Sequence, residues 1–257
     1  MNGAFQIGAV GLDAQQRALQ VIANNISNVN TPAFRRSSVR FSEVLATRAD
    51  PTVLGADLGA SVVTAAGVRS DAVFALDAQG PLQRTGQPMD VAVEGHGLIE
   101  LMGPGGETLL WRGGRLKIGE DGSLQTEGGL TLKAAVTVPA DAAEIRIGGD
   151  GVVHALGGEG GEAVEIGQIM LVEVADPAAV ERLDGGLYRV ADPSRLAEAR
   201  PGEDGAGILV QGAIEGSNVE LSAEMVQLLM VQRAYAANAQ IVQAADQLMA
   251  IANGLRR

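Results

Sequence analysis

Apolar residues near the N-terminus recur at alternating intervals of three and four. Phe5, Gly8, Leu12, Gln15, Leu19, Ile22, Ile26 and Val29 lie on one line, and six of these eight are apolar, which predicts an amphipathic helix with a coiled-coil-like seam. Gly3, Gly8 and Gly11 each cost a helix about 1 kcal/mol relative to Ala, so this one is marginal alone. It is expected to end around Asn28–Pro32, where Asn and Ser side chains compete for backbone hydrogen bonds and Pro32 disfavours helix at Thr31. The C-terminal pattern is stronger. Leu221, Leu228, Tyr235, Val242 and Met249 recur every seven residues. Val231, Ala245 and Ala252 hold complementary positions that Asn238 interrupts, and Ile241, Leu248 and Leu255 widen the apolar face. A helix over 217–254, with Ser217 or Asn218 as its cap or a second start at Ser222-Ala223-Glu224, would be about 57 Å long.

Between these ends the period changes. Asp121-Gly122, Asp150-Gly151, Asp184-Gly185 and Asp204-Gly205 mark tight turns. They are flanked by β-like runs at Asp90–Val93, Leu98–Met102, Arg115–Ile118, Glu144–Ile147, Gln168–Val174 and Leu187–Val190. The 35 glycines, without a collagen period, fit many short strands. Residues 35–70 contain Pro51, Gly55, Gly59 and Gly67 and read as an extended linker with at most short elements. The expected class is therefore α+β, with a mostly antiparallel β domain inserted between two heptad helices that pair as a coiled coil. Its divisions are an N-terminal polymerisation helix at 1–34, the linker at 35–70, the β domain at 71–215 and a C-terminal polymerisation helix at 216–257.

Charge narrows the partners. The chain carries −12 overall; residues 1–48 carry +3 and residues 217–257 carry 0, so the middle holds −15 (−12 minus +3). An acidic body argues against nucleic-acid backbones. No run reaches the roughly 18–20 apolar residues that span a bilayer, so direct membrane insertion is not expected. The polar Gln15-Gln16-Arg17 stands where the apolar core of a signal peptide would be, so any export is expected to proceed without a cleaved signal. The chain has no Cys, hence no disulfide framework or thiolate metal site.

Chemistry is sparse. The two histidines, His96 and His154, lack ligand-spaced partners and read as loop or strand positions rather than metal or catalytic groups. Gly158-Glu159-Gly160-Gly161-Glu162-Ala163 imitates a dinucleotide fingerprint, but it opens a β-like run, Val164–Val174, and carries two carboxylates that repel phosphate. There is no Walker-type loop and no Gly-x-Ser-x-Gly elbow. Carboxylate pairs such as Glu159 with Glu162, or Asp141 with Glu144, read as solvated surface in so acidic a chain. Trp111, near Arg112 and Arg115, reads as a strand-buried aromatic rather than a cation–π site. No cofactor, metal or enzyme activity is expected. An apolar helical stripe ordinarily packs on its own domain. Two such stripes at the extreme ends, one of them weak alone, are instead what folding on assembly would require.

Gly11-Leu12-Asp13-Ala14-Gln15-Gln16 and Ile22-Ala23-Asn24-Asn25-Ile26-Ser27-Asn28-Val29-Asn30-Thr31-Pro32-Ala33-Phe34 closely resemble the N-terminal signature of flagellar rod and hook proteins. Glu215-Gly216-Ser217-Asn218-Val219, Glu224-Met225-Val226 and Gln232-Arg233-Ala234-Tyr235 resemble the C-terminal one, and Leu82–Gly97 is similar to the start of the shared β domain. The signature residues are Asn24, Asn25, Asn28, Thr31, Phe34, Ser217, Asn218, Val219, Gln232 and Arg233. Ala33 departs from the family, which often has Gly there, and a negative φ is expected of it.

The resemblance implies a structural axial subunit exported by the flagellar type III apparatus and assembled into a helical tube. The terminal helices would form the inner layer of a rod that crosses the periplasm and transmits torque. Self-association would use Leu12, Leu19, Ile22, Ile26, Val29, Leu221, Leu228, Tyr235, Val242 and Met249. Other rod and hook subunits, the export apparatus and surrounding ring proteins are the implied partners. With 257 residues there is no room for the extra outer domain of hook subunits. Val231–Tyr235 and Ala244–Met249 point to the distal rod class, with a proximal rod paralogue or a hook-type subunit of the same axial family as the alternative. From a different class, a β-rich extracellular hydrolase or ligand-binding protein would instead require a pocket of convergent carboxylates with perturbed pKa values.

Overall fold

A computed structural model describes residues 2–48, 62–76, 78–134, 136–157, 163–174, 179–203 and 205–254. They form two compact units. The first gathers helix α1 (Asn2–Ser27), strands β1 (Ser37–Arg48) and β2 (Val62–Phe74), and helix α2 (Leu221–Gly254). The second takes residues 28–36 and 75–219.

In the first unit, α1 packs on α2 and also lies against β1 and β2. The stretch read as a linker holds a long antiparallel hairpin, from Ser37 opposite Phe74 to Arg48 opposite Val62. Gly67, counted among the signals against structure, sits beside a register shift: Val44 pairs with Gly67 and Leu45 with Ala65. A glycine inside a strand commonly marks such a bulge. Pro51, Gly55 and Gly59 lie outside the described residues. Asp71–Phe74, assigned from sequence to the β domain, completes β2.

The second unit is antiparallel throughout its ladders. Its strands are β3 (Leu82–Arg84), β4 (Asp90–Glu94), β5 (Leu98–Met102), β6 (Thr108–Trp111), β7 (Gly113–Ile118), β8 (Leu124–Thr126), β9 (Thr131–Leu132), β10 (Ala142–Ile147) and β11 (Val152–Gly157). They continue with β12 (Ala163–Gln168), β13 (Leu171–Val174), β14 (Val180–Arg182), β15 (Leu187–Val190), β16 (Leu196–Ala199), β17 (Ile208–Gln211) and β18 (Ala213–Glu215).

Among the described residues, one 11-stranded sheet runs β14-β15-β6-β5-β9-β8-β7-β4-β17, with β13 joining β5 to β16. β10-β11-β12 form a second sheet, and β18 pairs with β3. The core is aliphatic, centred on Val91, Val93, Ile99, Leu101, Leu124, Val153, Ile169 and Leu171, with Trp111 buried at the end of β6. β5 and β15 match the strands expected from sequence residue for residue. Gly122, Gly151, Gly185 and Gly205 take positive φ at the expected turns, where a Cβ would be penalised.

Candidate functional site: the terminal helices and the buried polar clusters

The stripe that α1 buries is made of small residues. Gly8, Ala14, Ala18, Ile22 and Asn25 are buried, one residue round from much of the seam read from sequence. Of that seam, Gly8 and Ile22 are buried, while Leu12, Leu19 and Ile26 are half-buried; Val29, just beyond the helix, is half-buried too. Small side chains let the helices approach closely. A Cβ on Gly8 would stand 2.8 Å from Val242 Cγ2, and one on Gly11 would stand 3.1 Å from Asn238 Nδ2.

On α2 the least exposed positions are Glu224, Gln227, Leu228, Val231, Ala234, Asn238, Ala239, Val242 and Ala245, an i, i+3/i+4 stripe. Leu221 and Tyr235 are exposed, and the Met249 side chain lies outside the described residues. So are Met225, Val226, Leu229, Met230, Ile241, Leu248 and Ile251, each 49–60% exposed. A helix that buries one stripe and leaves a second apolar face in water departs from the usual polar exterior.

Two fully buried polar groups fix the start of this unit. Asn25 Nδ2 donates to Ser37 O (2.8 Å) while its Oδ1 accepts from Ser37 N (3.0 Å), so the amide pairs with the first residue of β1 as a strand neighbour would. The same Nδ2 reaches Glu224 Oε2 at 3.2 Å, tying α1 to the first turn of α2. The other Asn signatures differ: Asn24 is exposed, and Asn28 Oδ1 accepts from Thr31 Oγ1 at 3.1 Å.

In the second unit, Glu215 gathers distant segments. Its Oε1 meets Arg35 Nη2 at 2.7 Å and Gly80 N at 2.9 Å, and its Oε2 meets Arg112 Nε at 3.0 Å. Its carbonyl accepts from Ala33 N at 2.8 Å. The Arg112 guanidinium also donates to the carbonyls of Gly95 and Gly97. Above Phe34 lies the Arg182 guanidinium, 3.8 Å from the ring centroid, and it donates to Arg35 O at 2.9 Å. Burial lowers the Arg182 pKa and raises that of the neighbouring Tyr188 phenol. The cation–π pair weighed at Trp111 is thus found at Phe34, and Arg112 serves Glu215. Phe34 and Val219, two of the signature residues, are buried.

Ser217 and Asn218 do not cap α2. Asn218 Oδ1 accepts from Arg36 N and its Nδ2 donates to Ala78 O, both at 2.6 Å, while Ser217 Oγ accepts from Val219 N. Gln232 and Arg233 are exposed on α2. Ala33 takes φ 55°, the only positive value at a described non-glycine residue, against the negative φ expected. Its buried position and its bond to the Glu215 carbonyl hold it in a conformation that costs an L-residue about 1–2 kcal/mol.

His96 follows β4, its carbonyl accepting from Gly207 N, and His154 stands in β11 opposite Arg146 and Glu165. Among the described residues there is no metal-binding cluster of His, Cys, Asp or Glu, and no helix is long and apolar enough to cross a membrane. The carboxylates with lowered pKa, Asp121 and Asp192, owe it to the hydroxyl and amide of Ser123 and Ser194 two residues on, which is turn chemistry. Glu159 and Glu162 lie outside the described residues.

Comparison with known proteins resolves what this arrangement belongs to. Residues 5–35 match the family model "Flagella basal body rod protein", residues 92–155 match "Flagellar hook protein FlgE/F/G D1 domain", and residues 210–255 match "Flagellar basal body rod FlgEFG protein C-terminal". The chain is 30% identical to the "Flagellar basal-body rod protein FlgG" of Caulobacter vibrioides, over 98% of this chain and 99% of that protein. It is 32% identical to the FlgG of Borreliella burgdorferi over the whole of both.

The chain belongs to the flagellar basal-body rod protein family.

The FlgG of Bacillus subtilis matches at 31% over 97% of each chain, and the "Flagellar basal-body rod protein FlgF" of Rhizobium meliloti at 31% over 86% of this chain. The rod-family matches at the two ends contain α1 with its Asn25 cluster and α2 with its exposed apolar face. It is a structural protein of the bacterial flagellum, of the basal-body rod, and its setting is motility.

Proposed function

We propose that the chain is an axial subunit of the rod that polymerises through α1 and α2 into a helical tube and transmits torque. The observation that carries this reading is the uncovered apolar face of α2, from Met225 to Ile251. In water such a face loses about 25 cal/mol per Å² of apolar surface that a neighbouring copy would bury. In the polymer, α1 and α2 act as a coiled-coil-like pair. Leu12, Leu19, Ile22, Ile26, Val29, Leu221, Leu228, Tyr235, Val242 and Met249 belong to the assembled layer.

The partners under this reading are further copies of the chain, other rod and hook subunits, the surrounding ring proteins and the type III export apparatus. The rod it builds would cross the periplasm. Relatives named FlgG cover 96–100% of the chain, against 86% for the FlgF relative, which favours the distal rod. The proximal rod is the second reading. Met230→Asp and Leu248→Asp change residues already exposed in the subunit, so each should leave monomer circular dichroism unchanged while abolishing rods in isolated basal bodies. Normal rods and normal swimming in both variants would refute the reading.

A further inference from the structure

Over the long stretch from Met225 to Gly254, α2 carries two charged residues, Arg233 and Asp246. Both are exposed. Arg233 stands on the uncovered face, with Leu229 and Met230 one turn before it and Ala236 and Ala237 one turn after. No carboxylate therefore occupies the positions from which a helix neighbour could reach it. Asp246 likewise has no basic residue at i±3 or i±4. The two cannot meet within one chain, because thirteen residues of helix separate them by about 20 Å and turn them about 140° apart. The contrast with α1 is direct: there Arg17 and Asp13 form an i, i+4 pair at 3.0 Å.

We infer that a second copy of this chain supplies the missing counter-charge, so that Arg233 of one subunit meets Asp246 of the next within the helical layer. The inference rests on the polymer reading above and deepens it. Covering the apolar face of α2 takes Arg233 out of water, and a charge enclosed without a partner is strongly destabilising. Along this stretch of α2 the sole described carboxylate is Asp246. Because it projects from a different side of the helix, each copy offers a cation to one neighbour and an anion to another. A contact between two different patches is heterologous, and repetition of such a contact without closure generates a helical filament. For parallel helices the pairing also sets an axial offset of about 20 Å between neighbours.

The chain contains no cysteine, which permits a clean cross-linking test in basal bodies isolated from cells expressing the full chain. Arg233→Cys and Asp246→Cys together should yield a ladder of linked dimers and higher oligomers with a short bis-maleimide, because an arginine–aspartate pair holds its Cα atoms farther apart than the roughly 7 Å a direct disulfide allows. The two cysteines of one chain, about 20 Å apart along the helix, lie beyond the reach of such a linker. Independently, Arg233→Glu and Asp246→Arg should each cut swimming-halo expansion at least fivefold, and the double charge swap should recover most of it. Both residues are exposed, so the single variants should keep wild-type circular dichroism as monomers. Assembled rods that give monomer alone on cross-linking, or a charge swap no better than its single variants, would overturn the pairing and leave the polymer reading standing. Wild-type subunits absent from rods would overturn both.

Discussion

Arg35 and Glu215 lie close to opposite ends of the sequence, yet their side chains meet at 2.7 Å, each 1% exposed. Glu215 is also the counter-ion of Arg112, so two buried guanidiniums share one carboxylate. Glu215→Gln keeps the shape and removes the charge. Breaking one partner of a buried pair costs about 3–5 kcal/mol, a large part of a typical domain's stability. We expect a clear fall in the urea midpoint of the purified subunit, whereas Glu144→Gln, whose pair with Arg146 is solvent-exposed, leaves the midpoint in place.

Ala33 offers a test of backbone strain. At φ 55° glycine should relieve about 1 kcal/mol, but it deletes a buried methyl worth about 0.8 kcal/mol. Ala33→Gly is therefore expected to be close to neutral in thermal melts. A β-branched side chain is a genuine outlier in this region, so Ala33→Val should destabilise by more than about 2 kcal/mol. Equal melts for Gly and Val would show that the left-handed turn does not persist in solution.

Much of the β unit was legible because its signals are local. β5 and β15 are short β-like runs flanked by turn residues, and the glycine of each Asp-Gly pair takes positive φ where a turn is expected. The β1–β2 hairpin is hidden in the sequence because Gly67 reads there as a breaker, whereas it sits beside the bulge. The Glu215 cluster left no periodic trace. Its members come from residues 33–35, 80, 112 and 215, and only folding brings them together. Periodicity on α1 favours the larger residues Leu12, Leu19 and Ile26, while packing favours the small Ala14 and Ala18, because close approach is decided by what the facing helix can accommodate.

Tyr188 predicts the alkaline behaviour. Burial raises its pKa above the ordinary phenol value near 10. Above that value the unfolded chain has lost the proton that the folded chain retains, so stability falls as pH rises from about 10 towards the folded pKa. Tyr188→Phe removes this titration. Denaturation midpoints between pH 9 and 11 should decline less steeply in the variant than in the wild type, after both are normalised at pH 8. Parallel declines would place the alkaline loss elsewhere.

Gly8 separates helix propensity from helix packing. Considered alone, α1 would gain about 1 kcal/mol from Gly8→Ala, and a short helix with a costly nucleus would benefit directly. The helix pair opposes this. The new Cβ would stand 2.8 Å from Val242 Cγ2, closer than carbon atoms tolerate, and a valine methyl on a half-buried helix position has little freedom to withdraw. A peptide of residues 1–30 carrying Gly8→Ala should therefore be more helical than its parent by circular dichroism. The full-length variant should show faster amide exchange over Ala14–Ile22 and Val231–Val242, and fewer assembled rods. Val242→Ala in the same chain removes the opposing methyl and should restore both protection and assembly. If Gly8→Ala strengthens protection in the full chain as it does in the peptide, then propensity outweighs packing and α1 does not lie against Val242 as described.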